Sequence, residues 1–156
     1  MPTVAAIPLT LERVAIDRHV GSKREVLERI STLLACGMEE PAAPAILEGL
    51  IEREQLGSTG LGLGTALPHT RFGRSGLIAG ALLSLPMGVD FDATDGEPVH
   101  LVFGLLVPED ATGQHLGILA RLASAFRDSR LTESLRTASS REALFERFTQ
   151  GIDATS

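Results

Sequence analysis

Val99-His100-Leu101-Val102-Phe103-Gly104-Leu105-Leu106-Val107 contains no Asp, Glu, Lys or Arg. Its Val, Leu and Phe content makes it the clearest strand of the chain. Before it, Asp95-Gly96 marks a turn, with Asp90 to Asp92 a short extended piece. Leu77 to Leu85 reads as a second buried strand. Further upstream, Thr65 to Leu67 look extended and Pro68 closes that run. Ile16 to Val20 is a candidate for one more short strand.

Helical patterns lie on either side of these strands. Ser22-Lys23-Arg24-Glu25 has capping-box spacing. Val26, Leu27, Ile30, Leu33 and Leu34 then repeat at helical period, and Gly37 suits a left-handed stop. A second helix is expected from Pro44 to Leu56, with Ile46, Leu47, Leu50 and Ile51 on one face and Gly57 as its end. Downstream, a helix is expected from a Thr112 cap, with Leu116, Leu119, Leu122, Ala123 and Phe126 as its apolar stripe. A short helix covers Leu131 to Arg136. A last one follows Ser139, where Ser139-Ser140-Arg141-Glu142 repeats the box; Ala143, Leu144, Phe145 and Phe148 face the core. Thr10 could cap a helical turn through Val14. Residues 1–9 and 151–156 read as loose tails.

The order is two helices, three or four strands, then two or three helices. This is an α/β fold: a small mixed sheet between helix layers, α/β/α, in one domain spanning residues 1–156. The strand order stays open. No internal repeat, low-complexity tract or dividing linker is visible.

Composition narrows the function. The 156 residues are 44% hydrophobic and 22% charged, a globular balance. Fourteen Lys+Arg against 20 Asp+Glu give a net charge of −6, which disfavours duplex nucleic-acid binding. Without Trp or Tyr, base stacking is poorly served as well. The single cysteine, Cys36, excludes an internal disulfide and reads as a small apolar residue near a helix end. No signal peptide stands out, and Leu77 to Val89 is too short and broken to span a bilayer. A cytoplasmic protein is expected.

Chemistry concentrates after the second helix. Leu56 to Pro68 has no charged residue and holds Gly57, Gly60, Gly62 and Gly64. Glycines let backbone amides approach a ligand, and successive amides can form an anion-binding concavity. His69 follows directly. A neutral imidazole nitrogen is a good nucleophile near neutral pH. Beside an anion site it suits phosphoryl transfer, which is mostly positioning and charge stabilisation. A loop histidine next to a flexible hinge is the competing reading.

His115 would fall in the first turn of the helix capped by Thr112, where free amides and the helix dipole gather anions. Arg53 lies at the end of the second helix, and its fork suits phosphate oxygens; a solvated Arg on a carboxylate or a helix-end carbonyl is the plainer reading. His100 reads as a packed or solvent-face strand residue, and His19 as structural or exposed. Neither metal-ligand spacing nor a P-loop nor a GxSxG elbow appears, so no metal or other cofactor is expected.

Glu54-Gln55-Leu56-Gly57-Ser58-Thr59-Gly60-Leu61-Gly62-Leu63-Gly64-Thr65-Ala66-Leu67-Pro68-His69 closely resembles the active-site signature of enzyme IIA domains. These form the fructose/mannitol class of the bacterial phosphotransferase system. FDATDGEPVHLVFGLLVPED, residues 91–110, resembles a second block of that family. Gly113-Gln114-His115-Leu116 is similar to its second histidine at a helix start. The resemblance spans about residues 8–150, with the three blocks in order.

The resemblance implies that His69 is the phosphorylated histidine, taking its phosphoryl group from a phosphohistidine on HPr or the nitrogen-branch relative of HPr. His115 would support the phosphate and Arg53 stabilise its charge. Gly57, Ser58, Thr59, Gly60, Gly62 and Gly64 would form the phosphate-binding loop. Leu63, Thr65 and Thr70 depart from the family pattern without removing a reacting group.

The chain looks most like the nitrogen-regulatory branch, whose members bind targets such as potassium-transport regulators and sensor kinases according to phosphorylation state. A sugar-specific IIA passing phosphate to a IIB domain is one alternative. A non-catalytic interaction module on the same fold is the other.

Overall fold

The computed structural model describes residues 7–73, 78–111 and 113–155. The expected Thr112 cap and the Leu77 strand start lie outside the described residues. A 3-10 turn, Leu11–Arg13, leads into β1 (Val14–Ile16). Then come α1 (Lys23–Ala35), α2 (Ala43–Gln55) and three short strands: β2 (Gly60–Gly62), β3 (Thr65–Ala66) and β4 (His69–Arg71). The long strands β5 (Ala79–Val89) and β6 (Val99–Val107) precede α3 (Gly113–Ala125), α4 (Ser129–Arg136) and α5 (Arg141–Thr155).

The sheet has the order β1-β5-β6-β3-β2, with β4 also on β6. It is mixed. β5 and β6 are antiparallel, with Leu83 opposite Val102. β1 runs parallel to β5, with Val14 opposite Leu82. β3 and β4 run parallel to β6, with Thr65 opposite Leu101 and His69 opposite Leu105.

Strand alternation divides the core into two layers. Ala81, Leu83, Val102 and Leu106 pack with Val26, Ile30 and Leu34 of α1 and with Ile46 and Leu50 of α2. Leu82, Leu101, Phe103 and Leu105 point the other way, onto Ile118 and Leu122 of α3, Leu135 of α4, and Leu144 and Phe148 of α5. Both sheet faces are covered, which is why β5 and β6 are near-continuously apolar. The result is the expected α/β/α sandwich, with six strands among the described residues where three or four were expected. The additional strands are two or three residues long, too short to show a period.

Other expectations need correction. The first strand is Val14–Ile16 rather than Ile16 to Val20. Val14 and Ala15 are buried; the Asp17 amide makes the last bond to β5, at the Ser84 carbonyl (2.9 Å), while its carboxylate accepts the His19 amide and pairs with Arg29 at 3.5 Å. The Thr10 side chain caps nothing. Instead, Arg13 fixes the turn by donating to the carbonyls of Leu34 (3.3 Å) and Cys36 (2.7 Å). Cys36 stands at a helix end as expected, as the C-cap of α1, and is exposed. In α3 the buried face is Ile118, Leu122 and Ala125, and Leu116 is exposed. Two residues turn a helix by about 200°, so Leu116 and Ile118 cannot share a face.

The caps follow the sequence with one shift. Ser22 Oγ accepts the Glu25 amide at 3.1 Å, and Gly37 takes a left-handed φ of 79°. At α5 the capping oxygen belongs to Ser140, which accepts the Ala143 amide at 3.1 Å, one residue later than expected. Asp128, not singled out in the sequence, caps α4 by accepting the amides of Arg130 and Leu131.

Neither expected tail is loose where it is described. Ile7 and Leu9 pack on the second core layer, and the Pro8 carbonyl accepts the Gly80 amide at 2.8 Å. Helix α5 continues through Gly151, and Ile152 is 4% exposed. Gly151 opens the stretch expected to be a loose tail. In the structure its constraint is contact: a Cβ there would lie 2.2 Å from Leu131 Cδ1. Among the described residues, no helix is long and apolar enough to cross a membrane.

Gly49 on α2 is constrained in the same way, since a Cβ would lie 2.4 Å from Thr70 Oγ1 on β4. In an unconstrained helix interior, Gly→Ala stabilises by about 1 kcal/mol. Here Gly49→Ala is expected to lower unfolding free energy by about 1–3 kcal/mol in urea titration, the usual cost of overpacking. Adding Thr70→Ala should recover part of the loss.

Candidate functional site

The free edge of β6 is shared by β3 and β4, and Pro68 separates the two. Proline has no N–H to donate, so one ladder bond is missing there. The Pro68 carbonyl still accepts the Leu105 amide at 3.0 Å, and His69 keeps the register opposite Leu105. Leu67 turns away from β6: its amide donates to the Thr59 carbonyl at 3.0 Å, and its own carbonyl meets the His69 ring, whose Nδ1 lies 2.8 Å from it. A carbonyl only accepts, so Nδ1 carries the hydrogen. The neutral ring therefore presents an unprotonated Nε2.

The surroundings favour that neutral form. His69 is half-buried, and this desolvation is the largest cause holding its pKa below the ordinary 6.5. The Leu67 carbonyl raises it, the positive charge of Arg53 lowers it, Glu54 raises it and Arg71 lowers it. Against the unfolded chain, this depressed value means that His69 contributes stability above about pH 6.5. That contribution is lost as pH falls through the folded-state pKa.

Arg53 is one helical turn beyond Gly49, whose contact with Thr70 seats α2 on β4 beside His69. Its Nη1 donates to the Gly57 carbonyl at 2.9 Å, the helix-end bond that the plainer reading foresaw. Its positive charge also lowers the pKa of His69.

The segment from Gly57 to Gly64 is a clamped hairpin rather than an open amide concavity. The Thr59 amide lies 3.2 and 3.3 Å from the two Glu54 carboxylate oxygens. The Gly60 amide donates to Ser58 Oγ at 3.0 Å, the Gly57 amide to the Glu54 carbonyl at 3.1 Å, and the Leu63 amide to Asp95 at 3.0 Å. Gly60 instead permits close packing, because a Cβ there would lie 3.0 Å from Ala93 Cβ. The hydrogen bonds from Glu97 and then Leu63 hold the Asp95 carboxyl below its ordinary pKa.

Three residues around this site were not singled out in the sequence. Glu54 has a side chain only 6% exposed, accepts from the Thr59 hydroxyl and pairs with Lys23 Nζ at 2.8 Å. Lys23 in turn lies 4.8 Å over the Phe91 ring. Arg71, two residues after His69, donates to the Glu109 carbonyl at 3.4 Å and ties β4 to the connection entering α3. An isolated charge has no periodicity, so neither Glu54 nor Lys23 left a pattern to read.

His115 is the third residue of α3, half-buried, in the first turn as expected. It follows the C-terminal end of β6, the sheet end where β4 also terminates. His100 lies five residues earlier on β6 than the His69 register, with Nδ1 3.1 Å from the Leu85 carbonyl, and His19 is exposed. The described residues hold no group of three or more His, Cys, Asp or Glu placed to bind a metal ion.

Residues 8–151 match the family described as phosphoenolpyruvate-dependent sugar phosphotransferase system, EIIA 2. The chain belongs to this family. Within it, similar members include nitrogen regulatory proteins and a fructose-specific EIIA component. A nitrogen regulatory protein of Pseudomonas aeruginosa is 44% identical over 138 residues, covering 88% of this chain and 90% of that one. One from Escherichia coli K12 is 40% identical over 129 residues, covering 82% and 78%. The crystal structure of nitrogen regulatory protein IIA-Ntr from Neisseria meningitidis matches with a TM-score of 0.80 at 41% identity, covering 90% of this chain and 96% of that one.

In an NMR titration His69 should show its midpoint below 6.5. Arg53→Ala should raise that midpoint by removing a neighbouring positive charge.

Proposed function

We propose that this protein carries a phosphoryl group on His69 Nε2, accepting it from a phosphohistidine on a small carrier. The hydrogen bond from His69 Nδ1 to the Leu67 carbonyl carries this reading, because it leaves Nε2 as the nucleophile. In the transfer the donor's N–P bond breaks as the P–Nε2 bond forms. The donor imidazole leaves with the electron pair, and the proton stays on Nδ1, hydrogen-bonded to the Leu67 carbonyl. A proton therefore need not move while phosphorus is in flight.

Arg53 and Arg71 supply positive charge for the phosphoryl oxygens, which suits a reaction driven by positioning and charge stabilisation. Here Arg53 exchanges part of its hold on the Gly57 carbonyl for phosphate. His115, in the first turn of α3, supports the phosphate from the same sheet end. The hairpin Gly57, Ser58, Thr59, Gly60, Gly62 and Gly64 frames the group as a close-packed wall.

The similarity to nitrogen regulatory proteins supports a regulatory role, with HPr or its nitrogen-branch relative as donor. Phosphorylation adds about two negative charges at His69, and the preceding segment exposes the side chains of Leu56, Leu61 and Leu63. A target docking on that surface would thereby distinguish the two states.

Incubation with phosphoenolpyruvate, the general phosphotransferase enzyme and a phosphocarrier should add the mass of one phosphate, and His69→Ala should abolish the gain. A His69→Ala protein labelled at the wild-type rate would overturn the assignment. Arg53→Ala should slow transfer by on the order of 10–100-fold while leaving the circular dichroism spectrum unchanged. The wild-type rate should hold through neutral pH and fall only below pH 6.5, as His69 protonates.

A further inference from the structure

A carrier must release its phosphoryl group as readily as it takes it. Arg53 and Arg71 bring positive charge to His69, and the carboxylate of Glu54 opposes them. Glu54 is also connected to the ring through the backbone: it holds the Thr59 amide, the Thr59 carbonyl accepts the Leu67 amide, and the Leu67 carbonyl contacts His69 Nδ1. The placement of the Glu54 carboxylate is tightly determined. It is nearly buried, bound by the Thr59 amide and hydroxyl, and paired with Lys23 at 2.8 Å. Lys23 is itself held over Phe91 and lies 3.7 Å from Asp92.

Glu54 and Arg53 are consecutive at the end of α2, and they grip alternate residues of the hairpin. Arg53 takes the Gly57 carbonyl and Glu54 takes Thr59. Ser58, between those two, donates to the Phe91 carbonyl at 2.8 Å. The grip therefore joins α1, α2, the hairpin and the β5–β6 connection at one point.

We propose that Glu54 is a positioning residue for phosphoryl transfer at His69. Held by Lys23 and Thr59, its carboxylate fixes the hairpin against Arg53 and offsets the positive field that would otherwise retain the phosphoryl group. The proposal rests on the carrier reading given above. Lys23 sets how much of the Glu54 charge reaches His69. Its removal must therefore act opposite to removal of the Glu54 charge.

Two measurements test this: the His69 NMR titration midpoint, and the phosphoryl equilibrium between this protein and HPr. Glu54→Gln keeps an acceptor for Thr59 and loses the charge. It should lower the midpoint, shift the equilibrium toward phosphorylated His69 by on the order of tenfold, and slow return of phosphate to HPr. Glu54→Asp should restore both readouts toward wild type. Lys23→Met should move both the other way. Thr59→Ala, which only loosens the grip, should slow both directions equally and leave the midpoint in place.

A Glu54→Gln protein with wild-type midpoint and equilibrium overturns the proposal, as does Lys23→Met shifting in the same direction as Glu54→Gln. Should the wild-type chain take no phosphate from HPr or its relative, the carrier reading falls. The midpoints still decide whether Glu54 governs His69.

Discussion

β6 has two edges, and the site depends on how they are used. β5 occupies one edge along its length. The other carries β3 and β4 in one register, and Pro68 between them gives no amide hydrogen but still accepts from Leu105. Leu67 turns away from β6, with its amide on the Thr59 carbonyl and its own carbonyl on the His69 ring. That carbonyl sets the tautomer, and the tautomer determines which nitrogen is left unprotonated. The burial of β6 on both faces is what holds the register in place, since slippage by one residue would exchange the side chains of the two core layers.

The electrostatics follow from the same placement. At the end of β6, His69 is partly withdrawn from water and meets the side chains that close α2 and β4. Positive charge from Arg53 and Arg71 suits an incoming phosphoryl group and keeps the ring neutral beforehand. The two effects agree: a site made ready for an anion is a poor place for an imidazolium. Glu54 moderates both, and its nearly buried oxygens are matched by Lys23 and Thr59.

Much of this was legible in the amino-acid order, and what was hidden has physical reasons. Helices α1 and α2 announced themselves by period and punctuation, and β6 by unbroken apolar character. His69 stood out because an uncharged, glycine-rich run ended on it. The hairpin inside that run was not legible, since glycine signals a turn and a close contact alike. Gly151 misled in the same way, as its reason is Leu131 on another helix. Strand β1 was displaced because three residues carry too little pattern against a neighbouring turn. Lys23 and Glu54 were invisible because their partnership spans two helices and exists only after packing.

Leu63 carries a consequence of its own. Its φ is 58°, a backbone state that costs an L-residue roughly 1–2 kcal/mol. Yet the residue is a leucine, 66% exposed. The turn gains nothing from that side chain in the folded protein, and the strained backbone is steadied by one hydrogen bond to Asp95 in the β5–β6 connection. The two connections therefore behave as one mechanical body, joined at Asp95 as well as where Ser58 donates to the Phe91 carbonyl. A push on Asp95 would thus reach the histidine by lever arm, through the five residues that separate Leu63 from His69.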